Sequence, residues 1–99
     1  MNFEIHIYLG SACISENSTR KYPLGERHAF LFYLREEEYS EYNVDKAEDR
    51  VAELGFDQIE FSRVGKLDSN RIYTEEKKEY YDNAIESGST FIFYTDAVR

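Results

Sequence analysis

The sequence predicts an α+β fold, a single two-layer domain of four strands and two helices that spans residues 1–99 and is loosely ferredoxin-like. Two periodicities support this fold class: four segments carry the alternating or continuous apolar pattern of strands, and two others carry helical spacing. Length supports one domain, because 99 residues with 41% hydrophobic content form one core rather than two. The predicted order is β-β-α-β-α-β.

The first two predicted strands lie in the N-terminal third. NFEIHIYL, residues 2–9, alternates apolar and polar side chains and predicts a strand with one solvent face, which carries His6. Residues 10–28 are polar, contain the only proline and begin with the breaker Gly10, so they predict a long loop or irregular hairpin arm. AFLFYLR, residues 29–35, is apolar on both faces and predicts a covered central strand.

The first predicted helix follows Asn43, a residue type that caps helix N-termini. Gly55 is placed to end this helix, and Phe56 is expected to make the apolar contact that follows such a glycine. The apolar stripe that we expect to face the sheet comprises Val44, Ala47, Val51 and Leu54.

The C-terminal half repeats this alternation of strand and helix. DQIEFSRV, residues 57–64, predicts a third strand, and Thr74 is a candidate cap for a second helix that Gly88 ends. STFIFYT, residues 89–95, predicts a last strand that is apolar on both faces. The buried side of the second helix is expected to use Tyr80, Tyr81, Ala84 and Ile85.

Two predicted strands, residues 29–34 and 90–94, need cover on both faces because each is apolar on both. The cover can be a helix on each face, residues 10–28 folding back, a second copy of the chain or a partner. The side chains expected in the core are Leu31, Val51, Leu54, Ile59 and Ile92.

The charge of the chain is concentrated in one stretch. The formal net charge is −8, and residues 36–60, here called the acidic segment, hold ten acids against two bases, Lys46 and Arg50, so the rest of the chain is neutral. Phosphate backbones and anionic membrane surfaces both require Lys and Arg. The sequence therefore predicts neither direct nucleic-acid binding nor membrane binding.

The acidic segment supports three interpretations. A solvated helix face is the simplest, although Asp45/Asp49 and Asp49/Glu53 are like-charge i,i+4 pairs that destabilise a helix. A metal site is disfavoured, because carboxylates spaced along one helix diverge and no glycine-containing calcium loop is present. The third is a docking surface, since tyrosines among acids resemble the bases and phosphates of a nucleic-acid strand and tyrosine is enriched at interfaces. The predicted partner-binding residues are Glu36, Glu37, Glu38, Tyr39, Glu41, Tyr42, Asp45, Asp49 and Glu53.

No catalytic motif or cofactor motif is found in the sequence. His6 and His28 are isolated, and no orienting motif joins the single Cys13 to a histidine, although a Cys–His pair stays open. No glycine-rich phosphate loop occurs. We expect a protein that is not an enzyme and carries no cofactor or metal. A lone cysteine and the absence of an apolar leader favour the cytoplasm.

These features predict a small acidic binding or inhibitor protein whose partner is a basic protein, possibly a nuclease or another nucleic-acid-binding complex. In size and charge the chain resembles bacterial toxin-immunity proteins and phage-encoded inhibitors, including anti-CRISPR proteins, and this resemblance implies an anti-defence or immunity role. The alternative is a self-associating structural or regulatory domain, a homodimer through the sheet, whose acidic segment only solubilises it. A small enzyme is the third possibility.

Overall fold

The computed structural model describes residues 2–18, 22–67 and 75–97 of the chain. The predicted α+β fold and its β-β-α-β-α-β order are confirmed. The elements are β1 (Phe3–Ile14), β2 (Arg27–Glu37), α1 (Val44–Glu53), β3 (Phe56–Leu67), α2 (Glu75–Ser87) and β4 (Ser89–Ala97). Neither helix in this described part of the chain is long and apolar enough to cross a membrane.

The four strands form one antiparallel sheet in the order β3-β1-β2-β4. The β1–β2 hairpin occupies the centre, with Phe3 opposite Glu37 at one end and Cys13 opposite Arg27 at the other. β3 adds to the outer edge of β1, and β4 adds to the outer edge of β2. The last strand is therefore paired with an early one, an order that the sequence pattern did not predict.

The first strand is longer than predicted, because Gly10 does not break it. A Cβ at Gly10 would lie 2.1 Å from the backbone oxygen of Glu60, so the glycine allows β3 to approach β1 closely. The β1–β3 register shifts next to it, between Leu9 and Gly10. The predicted loop over residues 10–28 is corrected accordingly: only residues 15–26 connect β1 to β2, of which 19–21 lie outside the described residues.

The solvent face predicted for β1 is also wrong. His6 and Tyr8, placed there by alternation, are both fully buried. The reason is the cover on this face: Tyr8 packs in one cluster with Ala47 and Val51 of α1, and the ring of Tyr42 lies edge-on to His6.

The two helices cover opposite faces of the sheet. α1 buries Ala47 and Val51 in a cluster that includes Tyr8 and Phe30. α2 buries Ala84 in a second cluster, against Ile5 and Tyr33, with Tyr80, Tyr81 and Ile85 packed around it. Because Ile5 and Tyr8 point to opposite faces of one strand, the sheet separates the helices, and the predicted two-layer arrangement is corrected to a helix on each face.

Residues from the β1–β2 connection add to the cover on the α1 side. The ring of Tyr22 lies edge-on to Phe93 of β4, with the ring centroids 5.5 Å apart. Phe56 lies 5.8 Å from the same ring. The apolar side chains that β2 and β4 present on the α1 side are thus covered within the chain.

The predicted start of α1 and the predicted C-terminal ends of both helices are confirmed. The side chain of Asn43 accepts a hydrogen bond from Lys46 N at 3.0 Å and caps α1. Gly55 and Gly88, which end the two helices, have φ values of 97° and 100°, which favour glycine. The predicted cap Thr74 lies outside the described residues.

Two of the residues predicted to face the core are exposed. Val44 begins α1 and Leu54 follows it, and 38% of the Leu54 surface is accessible to solvent. α1 buries only its middle, so the apolar stripe was correct in direction but too long. Leu31, Ile59 and Ile92 are partly buried, and Val51 is fully buried.

Candidate partner-binding surface

The predicted partner-binding residues lie at the end of β2, on the connection between β2 and α1, and on the outer side of α1. Glu36 differs from the rest, because it is largely buried and its Oε1 lies 2.8 Å from Lys46 Nζ. This pair joins the end of β2 to the first turn of α1. The eight exposed members of the set are Glu37, Glu38, Tyr39, Glu41, Tyr42, Asp45, Asp49 and Glu53.

Residues 38–43, here called the Tyr39 loop, are fastened to β1 through the backbone. Glu38 N donates to Asn2 O at 3.2 Å, and Tyr39 N donates to the carboxylate of Glu4. At the other end of the loop, Asn43 N donates to the hydroxyl of Tyr8 at 3.1 Å. Because backbone amides hold the loop, its acidic side chains are left in solvent.

Tyr39 projects from this loop in a strained conformation. Its φ is 68°, in the left-handed region that bulky residues rarely occupy, and 86% of its surface is exposed. Strain of this kind costs about 1–3 kcal/mol and is concentrated at functional sites. An aromatic ring is thus presented to solvent at an energetic cost, with Glu37, Glu38 and Glu41 beside it in the chain.

Tyr42 is only 40% exposed and packs back on the protein. Its ring lies edge-on to His6, with centroids 4.9 Å apart, and Lys66 Nζ lies 5.9 Å from its centre. Lys66 also lies 3.1 Å from Glu4. Tyr42 therefore positions the loop as well as offering part of its ring to solvent.

Glu4 is the polar centre of this region. Burial acts to raise the pKa of Glu4, but hydrogen bonds from His6, Lys66 and the backbone of Tyr39 outweigh it and hold the pKa below its ordinary value. The carboxylate is therefore a stable acceptor for the Tyr39 loop.

The outer side of α1 carries a line of carboxylates. Asp45, Asp49 and Glu53 are exposed and repeat every four residues, which places them about 6 Å apart along the helix axis. In the described part of the chain, none of these three forms an ion pair. The uncompensated negative charge therefore continues from the Tyr39 loop along the helix.

The histidines and the cysteine are buried in structural environments. His6 Nε2 lies 2.6 Å from the Glu4 carboxylate, so the prediction that it is a surface residue is corrected. His28 donates from Nδ1 to the carbonyl of Tyr94 at 2.7 Å, and its Nε2 lies 2.7 Å from Glu26.

Cys13 and His28 do not form the pair that the sequence left open. Ala12 is the register partner of His28, so His28 shares a face with Ala12, whereas Cys13, the next residue, points to the other face. In the described residues, no three His, Cys, Asp or Glu side chains are grouped to hold a metal ion.

Sequence reasoning missed a cleft of about 630 Å³ beside the Tyr39 loop. Its floor is apolar and its rim carries three carboxylates, so it is here called the acid-rimmed cleft. A sequence signal existed in the i,i+4 pair Asp82 and Glu86 on α2, but the chain outside residues 36–60 had been treated as neutral. The cleft is lined by Asn2, Phe3, Glu38, Tyr81, Asp82, Ile85 and Glu86.

Comparison of the chain with protein-family models, with curated proteins and with solved structures finds no match. What the protein does is therefore inferred from its own surface.

Proposed function

We propose that the protein is a non-enzymatic binding module that docks the Tyr39 loop and the outer side of α1 on a basic protein. The observation that carries this proposal is Tyr39, whose ring is 86% exposed on a backbone held at φ 68°. An interface anchor explains why this residue is a tyrosine, where glycine or asparagine would relieve the strain.

The charge around Tyr39 defines the class of partner. None of the exposed predicted acids forms an ion pair in the described part of the chain, where Lys46 pairs with Glu36 and Lys66 with Glu4. A surface of unpaired carboxylates accelerates association with a basic surface and disfavours acidic competitors. The partner is thus a protein with a cationic patch.

A nucleic-acid-handling protein is the kind of basic partner that this surface fits best. Carboxylates about 6 Å apart along α1, next to an exposed ring, offer the regular charge and stacking surface that a channel for single-stranded nucleic acid recognises. A protein bound in such a channel would keep the nucleic acid out of it. The protein would then act as an inhibitor of the type seen in immunity proteins and phage-encoded anti-CRISPR proteins.

The test compares two variants that carry equal charge. Glu37→Lys/Glu41→Lys/Asp49→Lys reverses exposed acids on the proposed surface and takes the net charge from −8 to −2. A control variant makes the same change at exposed positions elsewhere, Glu16→Lys/Glu75→Lys/Glu79→Lys.

Each protein is immobilised, exposed to lysate of the source cell and eluted with a salt gradient. We expect wild type and control to retain the same basic protein until moderate salt, and the surface variant to lose it. Retention of that protein by the surface variant at the wild-type level would overturn the proposal. With the purified partner, Tyr39→Ala should mainly raise the dissociation rate, because ring anchors act after charge has steered the encounter.

Self-association is the second candidate, favoured by one observation. β4 is an edge strand, and Tyr94 near its end is half exposed, so a second copy has a backbone edge and a ring to bind. Light scattering across a wide concentration range tests this candidate. A monomer at all concentrations would leave the basic partner as the only proposal.

A further inference from the structure

The acid-rimmed cleft lies between the start of β1 and the second half of α2, and it meets the Tyr39 loop at Glu38. Glu38, Asp82 and Glu86 form its rim and are exposed. In the described part of the chain none of the three forms an ion pair. The rim therefore offers three carboxylates with free acceptor sites.

The position of Glu86 is unfavourable for the helix that carries it. It lies in the last turn of α2, where the helix dipole is negative and where no basic residue occurs. Asp82, four residues earlier, adds a like charge on the same side of the helix. Lys78, four residues before Asp82, offsets the charge of Asp82 within the helix, but no basic residue of α2 lies within one turn of Glu86. A cationic occupant of the cleft would account for Glu86.

The floor of the cleft is apolar and includes an aromatic ring that already binds a guanidinium. Phe3, Tyr81 and Ile85 line it, and Phe3 is 40% exposed. The guanidinium of Arg35 lies 4.6 Å from the centre of the Phe3 ring and donates to the carbonyl of Ile85. Arg35 thus contacts two residues that line the cleft, and it forms no ion pair with the three carboxylates in the described part of the chain.

We propose that the cleft receives an arginine side chain of the basic partner, an inference that rests on the proposed function. The aliphatic stem would pack on Tyr81 and Ile85, and the guanidinium would bind the rim carboxylates. Arginine fits better than lysine because its planar group stacks on rings and makes paired hydrogen bonds to carboxylates. The cleft therefore gives the acidic surface a specific contact next to the steering charge.

The probes are single capped amino acids titrated into ¹⁵N-labelled wild-type protein: N-acetyl-arginine N-methylamide, the lysine equivalent and the neutral citrulline equivalent. We expect saturable shifts of amide resonances at residues 81–86 and Phe3 with the arginine probe. The lysine probe should bind at least about threefold more weakly and the citrulline probe at least about tenfold more weakly. Equal binding of arginine and citrulline probes would overturn the proposal.

Two variants with equal charge locate the site. Asp82→Asn/Glu86→Gln should weaken the arginine probe at least about tenfold, while Asp57→Asn/Glu16→Gln, which removes two exposed charges near the opposite end of β1, should change its affinity less than about twofold. Unchanged affinity in the first variant, with circular dichroism showing that it is folded, would refute the assignment.

The two proposals fail in different ways. If the arginine probe binds the cleft but the Glu37/Glu41/Asp49 reversal leaves partner capture intact, the docking surface is wrong and the cleft assignment stands. If partner capture depends on those acids but the cleft binds the arginine and citrulline probes equally, only the cleft assignment is overturned.

Discussion

The carboxylate of Glu4 lies 2.6 Å from Nε2 of His6, two residues along β1 on the same face of the strand. The same carboxylate accepts a hydrogen bond from Tyr39 N and lies 3.1 Å from Lys66. One side chain near the N-terminus thus connects β1, β3 and the Tyr39 loop. The stability of the proposed binding surface is therefore linked to the charge of Glu4.

This link predicts a pH dependence of stability. Because the pKa of Glu4 is lowered in the folded state, its ionised form stabilises the fold fully above the ordinary value of 4.5, and this stabilisation is lost as pH falls through the lowered pKa. We expect Glu4→Gln to be less stable than wild type at pH 7 and the difference to shrink towards pH 3. Urea unfolding at several pH values measures it. A stability difference that stays constant from pH 7 to pH 3 would contradict the stabilising role of ionised Glu4. The control is Glu37→Gln, which changes an exposed acid.

The close approach of β3 to Gly10 predicts a clear contrast between two glycines. Gly10→Ala should destabilise the protein by about 1–3 kcal/mol, because its Cβ would collide with the backbone of Glu60 at 2.1 Å. A Cβ at Gly65 would have no atom of a non-neighbouring residue within 4 Å, so Gly65→Ala should be neutral or stabilising by up to about 1 kcal/mol. Chemical denaturation of both variants checks this, and equal stabilities would refute the described β1–β3 register.

The strain at Tyr39 predicts that glycine at this position makes the fold more stable. Tyr39→Gly should stabilise the fold by about 1 kcal/mol, because glycine adopts the left-handed conformation without steric cost. Ser40→Gly, at a neighbouring position without a positive φ, should destabilise it by about 0.5–1 kcal/mol. Thermal and urea unfolding measure both changes. A destabilised Tyr39→Gly would mean that the backbone at this position is not strained.

The burial pattern predicts which apolar residues hold the core. Ile5→Ala, at a fully buried site beneath α2, should cost about 2–5 kcal/mol. Leu54→Ala should cost only about 1–2 kcal/mol, because Leu54 keeps 38% of its surface in solvent. Urea unfolding measures both losses in unfolding free energy, and the two variants should keep the wild-type m-value. A larger loss for Leu54→Ala than for Ile5→Ala would contradict the placement of α1.

Local sequence signals predicted the elements well because their causes are local. Asn43, Gly55 and Gly88 mark helix ends through side-chain capping and positive φ, which depend on a few neighbouring residues. The burial of His6 could not be predicted in this way, because it depends on a loop about 35 residues later in the chain that covers the strand. Gly10 was misread for the same reason: its role is set by Glu60, on another strand.

The candidate site shows the same contrast between features that depend on neighbouring residues and features that depend on distant ones. The exposure of Glu37, Glu41 and Asp49 agrees with their position in a charged stretch. The burial of Glu36 does not, because its partner Lys46 is ten residues away and is reached only through the turn between β2 and α1. Helical spacing would instead pair Lys46 with Asp49, three residues later on α1.

The strand order β3-β1-β2-β4 has a consequence for synthesis. The two central strands leave the ribosome before the two outer ones, and the outer edge of β2 stays unpaired until β4 has been made. A chain that stops before Ser89 presents this edge, and we expect it to associate with itself, as light scattering would show. The acids that follow the hairpin give growing chains a like charge, which opposes their aggregation before either outer strand exists.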